Sequence, residues 1–146
     1  MEYTKATPTD ADLVLRLYEM RREPVMRQAR NWFFIQFNPK NATDVLAVAG
    51  AFGTQENAYF RQVVSYWEMA VTLALRDAIS QDVFVDWNGE FIFIYSKLQP
   101  FLAEVREKLG NPGFLQHCEH LVERIPGGKQ RVEATMARIA KMTATK

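Results

Sequence analysis

The segment from Ala58 to Ile79 (AYFRQVVSYWEMAVTLALRDAI) is apolar over most of a helical circumference. Stepping about 100° per residue from Phe60, the positions Val63, Val64, Trp67, Val71, Ala74, Leu75 and Ala78 stay within about 60° of one line. Tyr59, Tyr66, Ala70 and Leu73 add a second apolar flank, and only a wedge of Arg61, Gln62, Ser65, Glu68, Thr72 and Arg76 is left for water. A helix with so little polar surface must be covered by other helices. The pattern therefore predicts an all-α domain built around residues 58–79 as its central rod.

The flanking pattern supplies those covering helices. Thr9, followed by Asp10 and Asp12, marks a helix start, and the first helix runs to about Arg22. Pro24 kinks it or opens a second helix, along which Val25, Met26, Ala29, Trp32, Phe33 and Phe37 keep the apolar spacing. Asn38-Pro39-Lys40-Asn41 reads as a turn, Thr43-Asp44 caps a short helix through Ala51, Gly53 suits a left-handed stop and Thr54 caps the rod. After Ser80 a short helix reaches Trp87. The run FIFIYSKLQPFLAEVREKL opens with strand-like composition. Its length and the spacing of Ile92, Tyr95, Leu98, Leu102 and Val105 nevertheless make it a helix, bent by Pro100 near Ser96. Gly110-Asn111-Pro112 then gives a stop, a cap and a first-position proline for a helix carrying Cys118, Leu121 and Val122, which Pro126-Gly127-Gly128 ends. Lys129 to Met142 forms a last amphipathic helix. The expectation is one domain over 1–146, with frayed ends at 1–8 and 143–146 and six or seven helices in all.

Composition sharpens this reading. A chain of 146 residues, 48% hydrophobic and 24% charged, is long enough for one self-sufficient core. No apolar run is long enough to span a membrane, and residues 1–12 lack the features of a signal peptide. The single cysteine, Cys118, rules out an intrachain disulfide and fits the reducing cytoplasm, where the protein is expected to reside. Net charge is +1 but unevenly spread: residues 61–123 hold five basic and nine acidic side chains, residues 124–146 six basic and one acidic. A basic tail can bind phosphate or an acidic partner. Lacking an aromatic residue to stack on a base, it reads better as a solvated helix on an acidic body than as a nucleic-acid site.

Candidate chemistry is sparse. His117 and His120, three apart on one helix face with Cys118 between them, could reach one metal ion. The residues three before the histidines are Phe114 and His117, so the Glu-x-x-His pairs of carboxylate-bridged metal bundles are missing. Surface or capping histidines are the favoured reading, and no cofactor is expected. Glu68, beside Trp67, has the place of a general acid or ligand anchor on a mostly buried helix. It falls about 80° from the core line, however, at the boundary. A carboxylate paired to Arg61, or to Arg27, Arg30 or Arg106 from another helix, is favoured over a functional acid. Cys118 reads as a small core residue. Trp32-Phe33-Phe34-Ile35 and Trp87 with Phe91 and Phe93 supply more aromatic surface than one core needs, which suggests a ligand pocket or an oligomer interface beside ordinary packing.

Several pieces recur together: Arg21-Arg22-Glu23-Pro24 with Arg27 and Ala29-Arg30; Phe60 with Tyr66-Trp67-Glu68; Ile79-Ser80-Gln81-Asp82-Val83 leading to Trp87 and Gly89. Tyr95, Leu98, Pro100-Phe101 and Arg106 follow, before Asn111-Pro112 and Leu121-Val122. Over roughly residues 15–125 the chain resembles an uncharacterised family of bacterial helical proteins, the domain of unknown function DUF4760. The resemblance implies an all-helical fold and carries no catalytic residues. Some members of that family look membrane-anchored at the N-terminus, a segment not expected here. With no complete catalytic set, the leading expectation is a non-catalytic interaction or regulatory module that forms a homo-oligomer, with a further protein partner unidentified. The alternatives are a small-molecule-binding protein or enzyme with a pocket beside Glu68, and weak nucleic-acid binding by the basic C-terminal helix.

Overall fold

A computed structural model describes residues 2–144. Among the described residues it contains no strand and nine α-helical segments: α1 (Pro8–Arg22), α2 (Pro24–Asn31), α3 (Ala42–Ala49), α4 (Gln55–Leu75), α5 (Gln81–Trp87), α6 (Glu90–Leu98), α7 (Leu102–Leu109), α8 (Gln116–Arg124) and α9 (Gly128–Ala144). The all-α class expected from the sequence is observed, with more segments than the expected six or seven because prolines divide long helices. At Pro24 the chain breaks between α1 and α2, and the Glu23 carboxylate caps the new start by accepting from Val25 N (3.1 Å) and Met26 N (2.8 Å). At Pro100 a single 3-10 turn, Gln99–Phe101, separates α6 from α7, three residues beyond the expected bend at Ser96. The FIFIY run is helical, and its Phe91, Ile92, Ile94 and Tyr95 are buried.

Several boundaries move for reasons that lie in the backbone. The rod starts with the Thr54 cap, as expected, but ends at Leu75 rather than Ile79. Asp77 turns left-handed (φ 58°), and the N–H groups of Ala78 and Ile79 both return to the Leu73 carbonyl, at 2.8 and 3.2 Å. Ala78 is consequently exposed, off the core line that a longer helix would have given it. The first helix is capped two residues earlier than Thr9: Thr7 Oγ1 accepts from Asp10 N (3.0 Å) and Asp10 Oδ2 accepts from Thr7 N (2.9 Å). Asn41, rather than Thr43, caps α3. The helix expected at Pro112 starts only at Gln116, after turns and a left-handed Leu115 (φ 60°).

One contiguous buried cluster runs through the molecule from Leu17 on α1 to Val132 on α9. The rod α4 lies at its centre, packed by α2, α3, α6 and α8, and α9 closes over α6 and α8. Most of the aromatic surplus is spent here. The backbone at Trp32–Gln36 widens into a π turn, Phe37 N donating to Trp32 O at 2.9 Å. This brings Phe37 onto Trp32 (centroids 5.0 Å apart) and Phe60 (5.7 Å), while Phe60 also stacks on Phe114 (6.3 Å). Trp87 is left outside. No described helix is long and apolar enough to cross a membrane.

Candidate functional site

Glu68 emerges from the middle of α4 beside the start of α8. Its Oε2 accepts from Cys118 N at 2.8 Å and its Oε1 from His117 N at 3.3 Å, with His117 Nδ1 3.2 Å from Oε1. The residue preceding α8 is Leu115, which has no side-chain acceptor, so the capping oxygen that a local Ser or Asp would provide comes from another helix. None of the arginines Arg27, Arg30, Arg61 and Arg106 pairs with Glu68. Burial pushes the Cys118 thiol well above its ordinary range, and the neighbouring Glu68 charge adds to the shift, so the sulfur stays protonated. His120 is exposed on α8, and the described residues contain no group of three His, Cys, Asp or Glu side chains that could hold a metal ion.

The arginine pair that sequence reasoning sought beside Trp67 forms on a different acid. Arg30 grips Glu90 with two hydrogen bonds, Nε to Oε2 at 2.9 Å and Nη2 to Oε1 at 2.7 Å, and Trp67 Nε1 donates to the same Oε2 at 3.2 Å. Arg30 Nη1 also donates to Arg21 O (3.3 Å), while Arg21 reaches the Trp87 carbonyl through both terminal nitrogens and lies 5.4 Å from the Trp67 ring centre. Tyr66 donates its hydroxyl to Leu17 O at 2.7 Å, and burial raises its pKa to about 12. This network ties α1, α2, α4, α5 and α6 together under the rod. Arg106 forms a separate pair with Glu119 (3.2 Å) while donating to Phe114 O (2.9 Å). Arg61 donates to Asn57 Oδ1 at 3.0 Å, and Arg27 is exposed.

Two polar residues, Glu90 (half-buried) and Lys97 (buried), escaped the sequence reading. Glu90 opens an otherwise apolar helix, a usable signal that a lone acid there must find a partner. Lys97 is the only basic residue of that helix; it is buried, and its ammonium donates to the carbonyls of Phe33 (2.7 Å), Phe34 (3.3 Å) and Phe37 (2.6 Å) where the π turn ends.

The surface feature that stands apart is the outer face of α1 beside the end of α5. Ala11, Leu15 and Tyr18 recur at helical spacing along α1 and flank an open groove of about 640 Å³ whose far wall is Trp87. Trp87 is 70% exposed, Leu15 62% and Tyr18 49%. The guanidiniums of Arg21 and Arg22 lie 5.7 and 5.4 Å from the Tyr18 ring centre, so this aromatic face ends in positive charge. The residues that line the groove include no carboxylate, and Asp12 and Glu19 of α1 are exposed. It offers binding chemistry, with apolar area in the centre and charge at the rim.

No curated protein and no solved structure matches the chain significantly. The model of the domain of unknown function DUF4760 matches residues 6–125, from just before α1 to the residue after α8, and the chain therefore belongs to the DUF4760 family.

Proposed function

We propose that this protein is a non-catalytic interaction module of the cytoplasm that self-associates through the α1–α5 face. The observation that carries the reading is the grouping of Leu15, Tyr18 and Trp87, three large apolar side chains left in water around one groove. Scattered exposed apolar residues need no explanation; three converging on a concave surface do.

A second copy suits this face by its charge order. α1 has Asp12 near its start and Arg22 at its end. An antiparallel pairing of two α1 helices about a two-fold axis level with residue 17 sets Asp12 of each copy opposite Arg22 of the other. Leu15 and Tyr18 then meet near the axis and each Trp87 has the other copy to cover it. Trp and Tyr at the centre of such a patch carry most of the association energy.

Sedimentation velocity over a concentration series tests this. The expected result is a dimer that dissociates on dilution and that Leu15→Glu or Trp87→Ala weakens at least about tenfold. Asp12→Arg and Arg22→Asp each weaken it, and the double variant recovers association because the pair is restored with reversed sign. A wild-type chain that stays monomeric to about 100 μM sinks the proposal; so does association that survives Trp87→Ala and Leu15→Glu.

A further inference from the structure

Elsewhere on the surface, α6 and α9 border an open recess of about 380 Å³. Arg131 and Arg138, two turns apart on α9, both line it, and Thr135 lies between them with its hydroxyl donating to Arg131 O at 2.7 Å and accepting from Arg138 Nη2 at 3.3 Å. Among the described residues neither guanidinium has a carboxylate within 4.0 Å. The acid on the recess wall, Glu90, is taken up by Arg30 and Trp67. Asp82 and Asp86 border a separate depression on the other side of Arg131.

Arg131 sits where two helix ends meet. Its guanidinium rests over Gly89, so close that a β-carbon added there would lie 3.2 Å from Nη2. Gly89 precedes the first residue of α6 and gives that helix no side-chain cap. The Val85 carbonyl, in the last turn of α5, lies 3.8 Å from that β-carbon position, so the guanidinium sits where the carbonyl end of α5 meets the amide end of α6, with a second cation, Arg138, on the same face. An anion in the recess meets two guanidiniums that have no carboxylate within 4.0 Å among the described residues. The floor is apolar: Phe34 and Phe93, their ring centres 4.3 Å apart and their planes inclined by 38°, offer aromatic surface beside the two arginines.

We propose that this recess binds an organic phosphate monoester, its phosphate gripped by Arg131 and Arg138 and its apolar body lying on Phe34 and Phe93. Two planar guanidiniums match the oxygens of a phosphate in pairs, which a single lysine cannot do. The aromatic floor distinguishes an organic ester from the bare ion.

Calorimetric titration of the full chain with phenyl phosphate, inorganic phosphate and phenol tests the assignment. Phenyl phosphate is expected to bind one site and raise Tm, with inorganic phosphate at least about tenfold weaker and phenol silent. Arg131→Gln and Arg138→Gln are each expected to lower phenyl phosphate affinity at least about tenfold while the ligand-free Tm and helicity stay at wild-type values. No binding of phenyl phosphate overturns the proposal, as does binding that both substitutions leave intact. Equal affinity for inorganic phosphate overturns the assignment to an organic ester. A fall in the ligand-free Tm of Arg131→Gln that Asp86→Asn reproduces would instead assign Arg131 to an ion pair and remove it from the site.

Discussion

Glu68 and Glu90 show how the same side chain acquires opposite duties from its surroundings. Glu68 serves backbone N–H groups at a helix start, while Glu90 neutralises a half-buried guanidinium. Replacing Glu68 by Gln keeps one acceptor and loses the charge facing the α8 dipole, a cost of about 1 kcal/mol. Glu90→Gln strands Arg30 beneath the rod and costs about 3 kcal/mol. Urea unfolding of both variants checks the order, and a larger loss for Glu68→Gln would contradict it. The helical wheel found Glu68 at the edge of the polar wedge, where it lies. Its partner was not legible, because a cap donated from one helix to another leaves no spacing in the sequence. Tyr66 and Tyr95 extend the residue scale to pH. Burial, and for Tyr95 also the charge of Glu119, lifts both to about 12 from the usual 10.0. The unfolded chain ionises these phenols first, so they hold stability steady below pH 10 and withdraw it as pH rises from 10 towards 12. An ultraviolet phenolate titration should show two of the five tyrosines ionising late, and Tyr66→Phe should flatten the alkaline loss of stability.

At the scale of elements, the helices follow the apolar period closely, and even FIFIY yields to it. The length of its run and the absence of a partner strand outweigh local β-propensity. What the period does not carry is where the chain turns left-handed without glycine. Asp77 ends α4 early, held by the return of the Ala78 and Ile79 amides to Leu73 O, and the buried Leu115 delays α8; both adopt a conformation that costs an L-residue about 1 kcal/mol or more. Asp77 is exposed and its side chain makes no hydrogen bond among the described residues, so Asp77→Gly removes the strain at little loss. It should raise stability by about 0.5 kcal/mol, read as a small increase in Tm. Prolines behaved as their chemistry requires at Pro24 and Pro100, but they divided helices that periodicity alone would leave whole.

At the scale of the whole molecule, the two proposed surfaces both border one half-buried network. The α1–α5 groove is floored by elements that Arg21 and Arg30 fasten, and the α6–α9 recess has Glu90 in its wall. Little of this was legible beforehand: excess aromatics and a basic last helix were visible as composition, while which ones remain outside depends on how α9 and α1 pack. The grip of Glu68 on α8 has a kinetic side as well. The amides of His117 and Cys118 find their acceptor 49 and 50 residues away, so hydrogen exchange at these two positions requires α4 and α8 to part. In native-state exchange, Cys118 should be as slow as the central α4 amides despite sitting in the first turn of its helix, where exchange is ordinarily fast. Two residues at a helix end thereby become a clock for the opening of the entire core.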